Sequence, residues 1–144
     1  MTEKNFSVFA SGTFGDWAKA ELKLPDGRSV LGKRFLKDII GSTGCEISLN
    51  ALPAGKSVPF FHAHKENEEV YIFLGGEGEM QVDGEIVPVR EGSVVRIAPD
   101  GLRCMRNTGG EDLLSIVIQV REGSLRQRNR EDGIIPEAPV SWVA

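Results

Sequence analysis

Short apolar stretches, each closed by a glycine- or proline-containing turn, run through most of the chain. This rhythm suits strands and turns rather than helices. The first stretch, residues 18–24, alternates around Ala20, Leu22 and Leu24. Pro25-Asp26-Gly27 then reverses the chain into a partner strand at 28–36. Proline presets the first φ of such a turn, and glycine takes the positive φ that closes it. Residues 37–44 read as a loop with room for one helical turn. A strand follows at 45–52, and Pro53-Ala54-Gly55 leads into another at 58–64.

Residues 65–68 form a charged turn before 69–74, where Val70, Tyr71, Ile72 and Phe73 are residue types favoured on a pleated surface. Both faces of this stretch are apolar, which predicts a central, buried strand. Residues 75–78 bend the chain. Asp83-Gly84 then joins 79–82 to 85–89, a strong short hairpin signal. Further strands are predicted at 93–97, 103–107 and 113–120. About nine or ten short strands with regular turn signals predict an all-β sandwich or barrel. The segment from 121 onward differs. Residues 121–133 are polar and charged, and 134–143 carry three apolar patches with two prolines. It reads as an irregular arm that packs on a partner subunit. One domain over 1–144, with its core at about 18–120, accounts for the pattern.

Composition narrows the function classes. A chain of 144 residues can bury a sizeable core without disulfides, and a net charge of −4 offers no broad basic field for nucleic acid. Cys45 and Cys104 form no disulfide framework, which fits an intracellular, cytoplasmic protein. The first ten residues lack a signal-peptide pattern, and no stretch approaches the ~20 apolar residues of a membrane span. No nucleic-acid or membrane partner is expected.

The candidate chemistry lies in one segment. His62 and His64, the two histidines of the chain, sit two apart on a predicted strand and so face the same way. Glu69 opens the next strand, and a short turn would bring it back beside them. Two imidazoles and one carboxylate suit Zn, Fe, Mn, Ni or Co with open coordination positions. Such a metal polarises a bound oxygen or activates a bound water. Isolated histidines are usually structural; a same-face pair with a correctly spaced glutamate is a ligand-like set. Glu66 and Glu68 read as surface charge.

At these residues the sequence resembles the cupin family. Its first motif, G-x5-H-x-H-x(3,4)-E-x6-G, is matched by His62-x-His64-x4-Glu69-x6-Gly76, with Gly55 one residue early. Its second, G-x5-P-x-G-x2-H-x3-N, is followed by Gly92, Pro99, Gly101 and Asn107, but the last histidine is absent. Counting forward from Pro99 puts Cys104 in its place; counting back from Asn107 puts Arg103 there. The resemblance spans about residues 45–120. It implies a cupin-type double-stranded β-helix (jelly-roll) barrel, pairing as a homodimer, with a divalent transition metal held by His62, His64, Glu69 and Cys104. It also implies a small-molecule ligand: a sugar, a carboxylic acid or an aromatic.

The departure in the second motif leaves readings open. Cys104 is either a thiolate ligand or a small buried hydrophobe. Tyr71 shares the face of Glu69 and either packs in the core or offers its hydroxyl to a ligand. Arg96 and Arg103 either clamp an anionic substrate or form outward or internal ion pairs. No catalytic acid or base stands out beyond this set. The class is a metal-dependent isomerase, decarboxylase or dioxygenase, or alternatively a binding module without turnover.

Overall fold

The computed structural model describes residues 4–127 and 129–142. Ten strands and three one-turn helices occur among the described residues: α1 (Phe14–Trp17), β1 (Glu21–Lys23), β2 (Ser29–Leu31), β3 (Lys33–Phe35), α2 (Lys37–Ile40), β4 (Glu46–Leu52), β5 (Asn67–Gly75), β6 (Glu77–Val82), β7 (Glu85–Arg90), β8 (Val94–Ile97), β9 (Arg103–Asn107), β10 (Leu113–Arg121) and α3 (Asn129–Asp132). Antiparallel pairing gives a five-stranded sheet, β3-β4-β10-β5-β8, a three-stranded sheet, β7-β6-β9, and a β1-β2 hairpin.

The two larger sheets face each other in a jelly roll. Alternation along β5 turns Glu69, Tyr71 and Phe73 inward, where all three are buried. Tyr71, Phe73, Ile97, Leu113 and Val117 of one sheet pack against Met80 and Val89 of the other. Fully burying side chains such as Phe73 and Met80 contributes roughly 1.5–3 kcal/mol each. A second cluster lies on the outer face of β4, where Trp17 of α1 covers Leu49 and Ala51. The chain crosses between the sheets at Gly76, whose φ of 80° lets β5 bend into β6.

Most expected elements are present, with three differences. The strand expected at 18–24 is shortened to Glu21–Lys23, because the chain first forms α1 and the turn that closes it; Asp16 accepts the Thr13 N–H at 2.8 Å, and Trp17 anchors the helix in the core. The expected strand at 28–36 is split at Gly32, which has a φ of 76° and lies against the Ala51 carbonyl. The segment 58–64 is extended but forms no regular strand. It touches β9 at two points, Ser57 with Arg106 and His62 with Arg103. Between them, residues 58–61 stand against only Cys104 and Met105. Pro59 has no N–H to give a ladder, and Phe60 and Phe61 bulge outward, exposed.

Beyond β10 the chain continues as the arm. Its described part contains α3 and is exposed throughout 131–142, including Ile134, Ile135, Val140 and Trp142. Residues 1–3, 128 and 143–144, where parts of the leader and arm readings fall, lie outside the described residues. Among the described residues no helix is long and apolar enough to cross a membrane.

Candidate functional site

The site forms where the 58–64 segment crosses the open end of the larger sheet. Paired backbone hydrogen bonds with Arg103, at 3.1 and 3.0 Å, fix His62, while the His64 carbonyl accepts the Asp100 N–H at 2.8 Å. Both imidazoles are thereby held above Glu69. His64 Nε2 lies 3.0 Å from Glu69 Oε1, and His62 Nε2 lies 3.8 Å from Oε2. One ligand-capable atom from each of the three residues falls within 4.8 Å of the others.

Glu69 is the hub. Its Oε2 accepts the Tyr71 hydroxyl at 2.7 Å and an Arg103 N–H at 2.5 Å. Its Oε1 faces His64 and accepts Gln119 Nε2 at 3.3 Å. Burial alone would push the carboxyl's pKa up. The Tyr71 and Arg103 hydrogen bonds, the Arg103 charge and Gln119 outweigh it and hold the group down at about 2. Burial and the adjacent carboxylate push the Tyr71 phenol well above its ordinary range. His62 moves the other way: burial and then the Arg103 charge lower its pKa, against the pull of Glu69. The result is an ionised carboxylate beside a neutral imidazole, the protonation states that metal ligation requires.

This donor set fits a divalent ion. His64 Nε2 and Glu69 Oε1, 3.0 Å apart, are close enough to hold one ion between them. His62 Nδ1 is buried without a protein partner. A ligating His62 would thus lack the second hydrogen bond that usually orients such a ring.

The structure brings Tyr71 and Arg103 to this centre and leaves Cys104 and Arg96 out. Along β9, Arg103, Met105 and Asn107 point inward, while Cys104 pairs with Gln81 on the outer face. The Cys104 thiol donates to the Val58 carbonyl at 3.1 Å and belongs to no His/Cys/Asp/Glu cluster among the described residues. The expected fourth ligand thus stands on the outer face and is not brought to His62, His64 and Glu69. Arg96 lies opposite Val70 on the outer face of its sheet. There it pairs with Glu68 and, at 3.0 Å, with Glu122, on the face opposite Glu69. Arg103 is inside but not free. Its side chain is 1% exposed; Nη2 is held by Glu69 and Nη1, at 2.8 Å, by the Gly101 carbonyl, while Nε is buried without a hydrogen-bond partner. The Tyr71 hydroxyl is likewise committed to Glu69.

Sequence reasoning missed two interior polar groups. Gln119, on β10, contacts both His64 and Glu69. Lys33, on β3, donates to Asn50 Oδ1 at 2.9 Å. Gln119 had a signal, since it keeps the parity of Leu113, Ser115 and Val117. Lys33 had none.

Comparison with known proteins fits this geometry. The cupin domain model matches residues 49–119. A cupin protein of known structure from Bacteroides fragilis is 34% identical and superposes with a TM-score of 0.78, covering 93% of this chain and 99% of its own. The chain belongs to the cupin family. Within that family it is similar to an oxalate-binding protein of Thermotoga maritima, 36% identical over 69 residues. That match takes in 46% of this chain and 56% of the relative, so it spans little more than half of the curated protein. The structure of a protein described as a predicted oxalate decarboxylase, also from Thermotoga maritima, is 24% identical, with a TM-score of 0.60 over 76% of this chain and 96% of its own. That likeness is one of fold.

Proposed function

We propose that this cupin holds a divalent transition metal (Zn, Fe, Mn, Ni or Co) at His62, His64 and Glu69 and acts on a small organic molecule, a carboxylic acid before a sugar or an aromatic. The observation that carries the reading is the convergence of three donor atoms within 4.8 Å around a carboxylate held ionised. A bound metal would supply Lewis acidity for a ligand oxygen. The chain's own groups would do the positioning. Tyr71, Arg103 and Gln119 orient Glu69, and the backbone pairing of His62 with Arg103 fixes the first imidazole. Preference for a carboxylic acid is supported by the oxalate-binding relative. Pairing as a homodimer, the arm packing on the partner, and a cytoplasmic location belong to the same proposal. The exposed apolar residues near both ends, among them Phe6, Val8, Ile135 and Trp142, support the pairing.

A second reading, ligand binding without turnover, is favoured by one observation. Arg103 stands inward where the family's motif carries a histidine, and it commits Glu69 to an ion pair, so that carboxylate is not left as a free acid or base. Elemental analysis of the untagged protein beside His62→Ala tests the shared core. Near one transition metal per chain, lost in the variant, supports it; no metal after reconstitution with each candidate ion overturns it. Steady turnover that needs the metal then selects the enzyme, and saturable binding without turnover selects the module.

A further inference from the structure

One charged group inside the fold has no part in that centre. Lys33 lies on the inner face of β3, opposite Asn50 of β4, which in turn lies opposite Ser115 of β10. Its ammonium has three donors, and Asn50 Oδ1 takes one. The amide is locked in that orientation, because Asn50 Nδ2 donates to the Ser48 carbonyl at 3.1 Å and to Ser48 Oγ at 3.0 Å. Further along the same row Ser115 Oγ is fully buried and has no partner. Among the described residues the ion pairs take up Lys19, Arg28, Lys37, Arg96, Arg103, Arg106 and Arg121, but not Lys33. The Phe35 ring, 4.9 Å from Nζ, offers it only a π face.

A part-buried ammonium facing a neutral amide is costly unless an anion completes its shell. Burial accordingly lowers the Lys33 pKa, against the pull of Glu69 and Glu46. By strand register Lys33, Asn50 and Ser115 stand on the same inner face of the sheet as Gln119 and Glu69 of the candidate metal centre. Lys33 and Arg103 together balance Glu69 and Glu46, and a divalent ion would add two positive charges.

We propose that Lys33 and Asn50 form an anion subsite that receives a carboxylate of the ligand, making a small organic dianion the preferred class over a monoacid or a neutral sugar. The inference rests on the proposed function in one respect: the ligand's other end lies at His62, His64 and Glu69. Lys33 supplies the charge and two free donors, while Asn50 holds the ammonium in place and adapts as the anion arrives.

The test is calorimetric titration of oxalate, malonate, succinate, acetate and glucose into the full chain, metal-loaded and metal-stripped. Wild type, Lys33→Met and Lys33→Arg are compared, with metal content measured on each. The expected result is dicarboxylate binding to loaded wild type, with acetate and glucose weaker. Lys33→Met should weaken it by about tenfold or more with metal content unchanged, and Lys33→Arg should largely keep it. Undiminished dicarboxylate binding in Lys33→Met, or none in loaded wild type, overturns the subsite. Should Lys33→Met not fold, Asn50→Asp must weaken the same binding by placing a carboxylate against the ammonium; undiminished binding there overturns the subsite too. A chain that holds no metal but still binds a dicarboxylate through Lys33 would overturn the metal reading and uphold the subsite.

Discussion

The Arg103 guanidinium and the Glu69 carboxylate meet at 2.5 Å with side-chain exposures of 1% and 8%. Each is the other's main compensation for being buried. Replacing Arg103 with methionine keeps much of the bulk but leaves the carboxylate with Tyr71, Gln119 and the histidines alone. We expect Arg103→Met to cost about 3–5 kcal/mol of unfolding free energy. The double variant with Glu69→Gln should be more stable than the sum of the single losses predicts, because no uncompensated charge remains. Urea unfolding of the metal-free proteins measures both. An Arg103→Met protein as stable as wild type would show that the pair contributes nothing.

The same carboxylate makes the metal-free protein acid-sensitive. The Glu69 pKa is about 2 when folded, against an ordinary value of 4.5. Between those values the unfolded chain binds the proton and the folded chain does not, so stability rises with pH. The contribution is complete above about pH 5 and is lost as pH falls toward 2. Its size is about 3 kcal/mol. Glu69→Gln removes it. Urea titrations from pH 6 to 2.5 should therefore show wild type losing more stability than Glu69→Gln, and parallel losses would contradict a strongly depressed carboxyl.

Cys104 separates the motif-based reading from the structural one. Its thiol lies on the outer face with Gln81 and donates to the Val58 carbonyl. We expect Cys104→Ser to keep the metal content of wild type and to change stability by no more than about 1 kcal/mol. His64→Ala, measured beside it by elemental analysis, should lose the metal. Loss of metal in Cys104→Ser would restore the thiol as a ligand.

What the sequence disclosed was local chemistry. Asp83-Gly84 forms the expected hairpin, with Asp83 at φ 49°, Gly84 at φ 88°, and Val82 opposite Glu85. His62, His64 and Glu69 were legible because the histidines stand two apart on an extended segment and Glu69 follows a short turn later. The choice between Arg103 and Cys104 was not, because the second motif is one residue short and parity along β9 has no direction until β6 pairs with it. The short helix α1 was missed for a related reason: Trp17 owes its place to Leu49 and Ala51, some thirty residues away. Lys33 joins the interior only through the pairing of β3 with β4, which no local pattern announces. Asn107 shows how a motif residue serves the fold: its Nδ2 donates to the carbonyls of Leu52 at 2.8 Å and Glu111 at 2.7 Å, pinning the end of β4 to the turn after β9.

The two glycines of the first motif have different reasons to be there. Gly55 has φ 70° in a turn, and an added methyl would meet nothing within 4 Å. Gly76 has φ 80° at the crossing between sheets, and its methyl would lie 2.4 Å from the Asp112 carbonyl oxygen and 2.9 Å from Leu113 Cα. Gly55→Ala thus bears only the left-handed backbone penalty, about 1–2 kcal/mol. Gly76→Ala bears that penalty and must also move backbone atoms of the strand opposite, so its loss should exceed about 3 kcal/mol. Urea unfolding of the two variants checks this. Equal losses would mean that the crossing at Gly76 relaxes freely and that the glycine is kept for its backbone angle alone.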